Sequence, residues 1–300
     1  MASARETVVD RDHDGQRLDN FLLGRLGDVP RSLVYRLIRT GQVRINGKRA
    51  RPKQRLDDGD RVRIPPQVSA EPDGRLRLPA DRIEQVRQSI IYRQDEYLVV
   101  DKPAGMAAQS GSGLAWGLAD LVAAVEPRAL PVHRLDRDTS GLTLFALGAA
   151  NARQLQQRLR DGGIEKRYLA LLDGHLASDR VEVDRPLKKI RDAGGEARTI
   201  VTDRADEDGQ RAVSIFRRLE RLPANDYVEV EILTGRTHQI RVHAESLGAP
   251  LVGDRRYNPA GRAAARLFLH AAALRLDWPD DQVIESPLPV ALVEMLEAAR

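Results

Sequence analysis

A polar, proline-containing stretch at residues 67–89 divides this chain into two segments of different character. The stretch, QVSAEPDGRLRLPADRIEQVRQS, has no periodic run of apolar residues that could form a core, so we interpret it as a linker. The full length of 300 residues is enough for two domains, each with its own hydrophobic core. The sequence therefore predicts a small domain over residues 1–66 and a larger one over residues 90–300.

The smaller predicted domain carries a concentrated positive charge. Between residues 17 and 55, eleven basic residues stand against two acids, a local charge of +9 in a chain whose total is +4. This asymmetry is typical of a module that binds RNA or DNA, and a merely solvated basic surface is the alternative. The basic residues for which we predict RNA contacts here are Arg17, Arg31, Arg36, Arg39, Arg44, Lys48 and Arg49.

Apolar spacing predicts two helices followed by a small sheet in this domain. Leu18, Phe21 and Leu22 recur at helical intervals and SLVYRLI repeats that pattern, whereas VRINGKR alternates around an Asn-Gly turn. The segments QRLDNFL, SLVYRLIRTGQVRINGKR and LDDGDRVRI resemble the S4 RNA-binding domain. That resemblance implies a small α+β RNA-binding unit at the front of the chain.

The larger predicted domain contains many short strand patterns joined by turns, with few helical patterns between them. Such an order favours a largely antiparallel sheet over alternating parallel strands and helices. We therefore predict the α+β class for the whole chain. We expect a largely antiparallel, mixed-sheet domain after the small S4-like α+β domain.

Composition excludes several classes of protein. The chain has no cysteine, which rules out disulfides, zinc-thiolate sites and cysteine nucleophiles and suits a reducing cytoplasm. No apolar run approaches the ~18 residues of a membrane span, and the first residues lack the apolar region of a signal peptide. His238 and His243 lack the HExxH frame, so we expect no metal site. The expected location is the cytoplasm, away from membranes.

The segment HRLDRDTSGL, residues 133–142, packs charge between apolar strand patterns. A surface turn accounts for its Asp, Ser, Thr and Gly, but it does not require Arg-Leu-Asp-Arg. Asp136 lies between leucines that imply a position beside the core, where its charged form needs a nearby cation. In a helix beginning near Gly235, Arg241 would share a face with Thr237 and could reach inward. These residues alone support a catalytic carboxylate and a purely structural ion pair about equally.

Tyr168 follows two basic residues in KRYLALLDG, at the start of an apolar strand pattern. The simpler interpretation is an ordinary core tyrosine. In a cleft, however, its ring could stack on a base and its hydroxyl could act as an acid or a base.

Three motifs in one order carry a resemblance over most of the larger domain. HRLDRDTSGL, KRYLAL and LTGRTHQIRVHAESLGAPLVGDRRY resemble the pseudouridine synthases that act on large ribosomal RNA, and LVVDKPAGM, GSGLAWGL and RLFLHAAAL match flanking family segments. The resemblance implies isomerisation of specific uridines to pseudouridine in 23S ribosomal RNA or a large-subunit assembly intermediate. It implies neither metal nor organic cofactor, which agrees with a chain that lacks phosphate-loop and dinucleotide-binding motifs, and we expect a monomer.

The same resemblance implies roles for individual residues. Asp136 corresponds to the catalytic aspartate that acts at the ribose, and Arg241 to its basic partner. Tyr168 corresponds to the tyrosine that stacks on the uracil and has been assigned base character. Arg134 corresponds to the arginine that fills the space left by the flipped nucleotide. At Gln109, members of the family commonly have histidine.

Other functions stay open at this point. The same chemistry could serve other ribosomal uridines or transfer RNA. A catalytically idle RNA-binding factor in ribosome assembly could keep the same scaffold, and a glycosidase acting on damaged nucleic acid would release free uracil.

Overall fold

A computed structural model describes residues 5–26, 29, 31–65, 78–110, 116–191, 197–261 and 263–300. The chain divides into two compact units, with the boundary between Pro79 and Ala80. Of the linker predicted over residues 67–89, residues 67–77 lie outside the described part of the structure. The remainder differs from the prediction, because Ala80–Gln88 form a helix. Only Val86 of that helix is buried, so the apolar periodicity was too weak to predict it. No helix within the described ranges is long and apolar enough to cross a membrane.

The N-terminal unit has the predicted two helices and small sheet. Its four strands form one antiparallel sheet. Leu18, Phe21, Leu22 and Val34 are buried between the helices and the sheet, because the helical repeat places them on one face. The elements are β1 (Arg5–Val8), α1 (Leu18–Leu26), α2 (Arg31–Arg39), β2 (Arg44–Ile45), β3 (Lys48–Arg49) and β4 (Arg61–Ile64). The strand order in the sheet is β1-β4-β2-β3.

The C-terminal unit is built on one large sheet of ten strands, with a separate two-stranded ribbon and helices packed around it. Its helices are α3 (Ala80–Gln88), α4 (Leu118–Val125), α5 (Ala149–Asp161), α6 (Gln239–Ser246) and α7 (Val290–Glu297). Its strands are β5 (Ile90–Arg93), β6 (Tyr97–Lys102), β7 (Ala129–Pro131), β8 (Ser140–Leu147), β9 (Ile164–Asp173), β10 (Arg180–Asp184), β11 (Leu187–Arg191), β12 (Ala197–Val201), β13 (Val213–Arg221), β14 (Asn225–Ile232), β15 (Leu269–Leu276) and β16 (Gln282–Glu285).

The large sheet confirms the α+β prediction. Its order is β10-β13-β14-β9-β15-β8-β6-β5, with β16 paired to β15 and β7 to β8, and β8 with β15 is its one parallel pair among the described strands. The ribbon is β11 with β12. In the centre of the sheet Ala271 pairs with both Tyr168 and Gly141. This row leaves only β15 between the end of HRLDRDTSGL and the strand that carries Tyr168.

Helix α6 begins later than the sequence predicts. His238 adopts a left-handed conformation with φ 57°, which interrupts helical geometry, and the helix starts at Gln239. Thr237 therefore precedes the helix, and the expected shared helical face with Arg241 is wrong. Arg241 lies in the first turn and is 7% exposed, so it points inward as expected.

Candidate active site

Asp136 begins a four-residue turn that backbone hydrogen bonds and the Lys102 side chain hold in place. The Thr139 N–H donates to the Asp136 carbonyl at 3.2 Å. The carbonyl of Arg137 accepts from the Gly105 N–H at 2.8 Å and from the Lys102 ammonium at 3.1 Å. Lys102 is fully buried and also donates to two further carbonyls, so it binds the turn to the preceding loop. The charged segment is thus both a turn and a fixed support for a carboxylate.

His133 anchors the other side of the same segment. Its Nε2 accepts a hydrogen bond from the Leu144 N–H at 3.2 Å. Burial lowers the pKa of His133 to about 3, so the ring is neutral at pH 7 and can accept. The histidine that opens HRLDRDTSGL therefore connects the motif to β8.

The Asp136 carboxylate faces two basic side chains at the limit of ion-pair distance. Its Oδ2 lies 3.9 Å from Arg241 Nη1 and 3.9 Å from His238 Nε2. The side chain is 21% exposed, and none of the described residues donates a hydrogen bond to its carboxylate. Its lone pairs are therefore available to another molecule.

Arg241 has a closer partner than Asp136. Its Nε and Nη2 donate to the two carboxylate oxygens of Asp254, both at 2.7 Å, in the parallel geometry that favours strong pairing. Burial alone would raise the pKa of Asp254, but the Arg241 hydrogen bond and charge lower it below its ordinary value. The structural pair is thus Arg241 with Asp254, and Arg241 contacts Asp136 only at longer range.

His238 and Tyr257 complete the basic side of the site. The His238 Nδ1 and the Tyr257 hydroxyl share a hydrogen bond of 2.8 Å. The Arg241 guanidinium lies 5.1 Å from the centre of the Tyr257 ring, within cation–π distance. Burial lowers the pKa of His238, so the ring is neutral at pH 7. Tyr257 therefore holds the positions of both groups that face Asp136.

Tyr168 is buried at 6% exposure and lies in the same cavity as Asp136. Burial, with the nearby Asp136 charge, raises the pKa of its hydroxyl far above the ordinary value. The phenol therefore stays protonated at neutral pH, which favours stacking and hydrogen bonding over action as a phenolate base.

Two cavities meet at Asp136. A cleft of about 1210 Å³ is lined, among the described residues, by seven arginines and three aspartates, which makes it strongly cationic. A pocket of about 380 Å³ contains Tyr168, and Asp136 is the only acid among its described lining residues. Asp136, Arg134 and Arg241 line both. Arg134 is exposed where the cleft and the pocket join. Gln109 lines the cleft but not the pocket.

The basic residues predicted to bind RNA in the N-terminal unit are mostly exposed: Arg36, Arg39, Arg44, Lys48 and Arg49.

Arg17 differs from this exposed set. It is half-buried, and its guanidinium donates to the buried Asp19 at 3.1 Å and 2.5 Å, so part of its charge is neutralised within the unit. The side chain of Arg31 lies outside the described part of the structure.

Metal-binding geometry is missing from the described ranges, where no group of three or more His, Asp or Glu side chains is placed to hold an ion. His243 is fully buried, and its two ring nitrogens bond to the Ser214 hydroxyl and the Arg185 carbonyl. It therefore belongs to the core and not to the site around His238.

Sequence reasoning missed Asp254, Tyr257 and Lys166 as members of the site. Asp254 and Tyr257 lie in the quoted motif segment, and the signal was there, because a buried arginine requires an acid and LVGDRRY supplies one. Lys166 stands two residues before Tyr168, and the period of a strand places both on one face.

Comparison with known proteins assigns this chain to a family. Residues 96–246 match the RNA pseudouridylate synthase family, and residues 16–62 match the S4 domain. The chain belongs to the RNA pseudouridylate synthase family, and it is an RNA pseudouridine synthase, an isomerase. The resemblances drawn from its motifs are confirmed.

Individual proteins of this family are similar to the chain over most of its length. Ribosomal large subunit pseudouridine synthase C of Salmonella typhi is 40% identical over 99% of this chain and 97% of that protein. The protein of the same description from Escherichia coli K12 is 39% identical over the same shares. Among solved structures, human RNA pseudouridylate synthase domain containing 1 is 31% identical, with a TM-score of 0.58 over 70% of this chain and 86% of that one. Human RNA pseudouridylate synthase domain containing 4 shares the fold, at 22% identity and a TM-score of 0.62 over 72% and 94%.

Proposed function

We propose that this chain converts specific uridines of 23S ribosomal RNA to pseudouridine, with Asp136 acting at the ribose of the target nucleotide. The observation that carries the proposal is the position of Asp136. It is the only acid among the described residues of the pocket that holds Tyr168, and its carboxylate has no hydrogen-bond donor among the described residues. The ribosomal substrate is favoured by the relatives, whose descriptions name the ribosomal large subunit.

The reaction requires the uracil to leave its sugar, turn and rejoin through carbon. Asp136 supplies the carboxylate at the ribose, while Arg241 stays paired with Asp254 and contributes a fixed positive charge nearby. Tyr168, protonated and buried, provides a face on which the base can stack. The isomerisation is redox-neutral, so these side chains need no external electron donor or acceptor.

RNA recognition is divided between two basic surfaces in this proposal. The exposed cluster of the N-terminal unit contacts phosphates without reading sequence, and the arginines of the large cleft hold the RNA beside Asp136. The target base must leave its stack at a cost of a few kcal/mol. Arg134 lines both cleft and pocket, which supports a role in occupying the space that the base vacates. A monomer in the cytoplasm remains our prediction.

Pseudouridine mapping of 23S ribosomal RNA from cells with and without the gene tests the proposal. We expect specific sites to lose modification in the deletion strain and to regain it with purified protein in vitro, without added cofactor. If the deletion strain lost modification only in transfer RNA, the substrate would be transfer RNA and not 23S ribosomal RNA. Release of free uracil would support a glycosidase, and an unchanged map with impaired subunit assembly would support an idle assembly factor.

A further inference from the structure

Lys166 lies in the candidate active site and has no role in the chemistry described so far. It stands on β9 two residues before Tyr168, and both side chains point to the same buried face. Both line the pocket of about 380 Å³ that also contains Asp136. The residue is 6% exposed, and its ammonium lies 3.7 Å from the point where a side chain on Gly235 would begin.

The charge of Lys166 is buried without compensation by the described residues. None of them forms an ion pair or a hydrogen bond with its ammonium, and burial lowers the pKa of Lys166 to about 8. Lys102, the other buried lysine, donates to the carbonyls of Pro103, Met106 and Arg137. An unpaired buried cation is costly to stability, so a functional reason for it is expected.

A second polar group in the same pocket also lacks a partner. Thr139 is only 2% exposed, and its buried hydroxyl has no hydrogen bond to any described residue. Buried hydroxyls in folded proteins nearly always have a partner. Thr139 and Lys166 line one cavity, so one ligand could satisfy both groups. A uracil base carries two carbonyl oxygens and an N–H group, which match an ammonium and a hydroxyl.

We propose that Lys166 is a further catalytic residue, whose ammonium donates a hydrogen bond to a carbonyl oxygen of the uracil as the base leaves the ribose, with the Thr139 hydroxyl bonding to the same base. This inference rests on the proposed function of the site.

The charge balance of the reaction explains the need for a cation here. When the bond between ribose C1′ and uracil N1 breaks, both electrons stay with the base, which becomes an anion delocalised over N1 and its carbonyl oxygens. Lys166 stabilises that anion without giving up its proton. C1′ is left electron-deficient and faces the Asp136 carboxylate, and the electron pair at C5 of the turned base then forms the new bond to C1′, which returns the base to neutrality. The C5 proton passes to the Asp136 carboxylate and from there to solvent, and N1 takes a proton from solvent, so the net change is one proton moved from C5 to N1 and the carboxylate is regenerated. A preorganised cation that meets charge only after bond cleavage favours the transition state over the bound substrate.

The test compares Lys166→Met with Arg167→Met in the full-length chain. Methionine keeps an unbranched apolar stem of nearly the same length and removes the ammonium group. Arg167 is the matched control, because it is adjacent on the same strand, points to the other face and pairs with Glu229 at 3.6 Å. The measurements are the single-turnover rate of pseudouridine formation on a saturating 23S ribosomal RNA fragment, the affinity for that RNA, and the melting temperature.

We expect Lys166→Met to lower the single-turnover rate by roughly 10²-fold, as for loss of one group that stabilises developing negative charge. RNA affinity should stay unchanged, and the melting temperature should stay equal or rise, because an uncompensated buried charge has been removed. Arg167→Met should keep the wild-type rate. Thr139→Val should slow the reaction in the same direction without loss of folding.

Two outcomes would overturn the role of Lys166 while leaving the proposed function of the site intact. One is a Lys166→Met rate equal to that of Arg167→Met. The other is a sharp fall in the melting temperature of Lys166→Met, which would make Lys166 a structural residue. If the wild-type protein itself forms no pseudouridine in 23S ribosomal RNA, the proposed function fails and this role fails with it. The wild-type rate therefore separates the two failures.

Discussion

Two aspartates face the Arg241 guanidinium, and their distances predict different roles for them. Asp254 is buried and hydrogen-bonded to Arg241 at 2.7 Å, whereas Asp136 is partly exposed at 3.9 Å. The purely structural ion pair that the sequence left open is therefore formed by Asp254. Asp136 is therefore not needed as the structural partner of Arg241. Replacement by asparagine should accordingly affect stability at Asp254 and activity at Asp136.

Asp136→Asn should abolish turnover and leave the fold intact. The amide keeps the size of the side chain but cannot supply a carboxylate to the ribose, so we expect the single-turnover rate to fall by roughly 10³-fold or more. The melting temperature should change little, because Arg241 keeps its pair with Asp254. Single-turnover assays and thermal unfolding of one preparation check both statements. A folded, RNA-binding variant with near-normal turnover would remove Asp136 from the mechanism.

Asp254→Asn should act on stability. It leaves the buried Arg241 guanidinium without its hydrogen-bonded counter-charge, at a cost of about 3–5 kcal/mol in the free energy of unfolding. Urea titration should show a lower midpoint than for the wild type, with Asp136→Asn as the control at the same guanidinium. Equal midpoints for the two variants would contradict the assignment of Asp254 as the structural partner.

At the scale of elements, the site depends on the parallel pairing of β8 with β15. Gly141 has φ 109° and lies so close to β15 that an added Cβ would be 2.3 Å from the Ala271 carbonyl oxygen. The row from Gly141 through Ala271 to Tyr168 crosses three strands, so this close approach sets the distance between the Asp136 turn and the tyrosine. Gly141, the penultimate residue of HRLDRDTSGL, is thus required by packing.

Gly141→Ala should destabilise the protein more than Gly148→Ala. Both positions have positive φ, which costs a non-glycine residue roughly 1–2 kcal/mol. Only Gly141 adds a backbone collision, because a Cβ on Gly148 has no atom within 4 Å. Thermal unfolding of the two variants should show the larger loss for Gly141→Ala, together with lower activity in the remaining folded protein. Equal losses would show that β8 and β15 separate easily.

At the scale of the whole molecule, the chain carries two basic regions, of which only one is visible in the sequence. The N-terminal cluster is contiguous in sequence and visible as a local charge of +9. The arginines of the large cleft come from separated segments, and only folding brings them together. Each region should make its own contribution to RNA affinity, and the first can be tested without touching the catalytic groups.

Replacing Arg36, Arg39 and Arg44 by Gln should weaken binding to large ribosomal RNA. Each phosphate contact that is lost should make the slope of log affinity against log salt less negative by about 0.7–0.9. The single-turnover rate at saturating protein should stay the same, because these residues belong to the N-terminal unit. Filter binding over a range of salt concentrations measures the slope.

The matched control replaces Arg82, Arg87 and Arg180, three exposed arginines that already pair with nearby acids. It removes the same formal charge from the C-terminal unit. If both triple variants lose the same affinity and slope, net charge alone governs binding, and the N-terminal cluster has no specific role.

Local sequence determined much of this protein. Helical and strand periodicity indicated the α+β class and most elements of both units, because burial of one face imposes a repeat that is visible in the residues themselves. The exception Ala80–Gln88 buries only Val86. The motifs also indicated Asp136, Tyr168 and Arg241, which the fold brings around one site. Alternation along β9 places Lys166 beside Tyr168 from the strand period alone.

Only the tertiary structure decided which charges meet. Asp254 is thirteen residues from Arg241, and no local rule selects it over Asp136 as the hydrogen-bonded partner. Helix α6 starts at Gln239 because His238 has a left-handed backbone conformation. The His238 ring is hydrogen-bonded to the Tyr257 hydroxyl, which is nineteen residues further along the chain. The uncompensated charge of Lys166 is likewise a property of its surroundings. Ion pairing and desolvation depend on distances between segments remote in sequence, and those distances exist only after the sheet has formed.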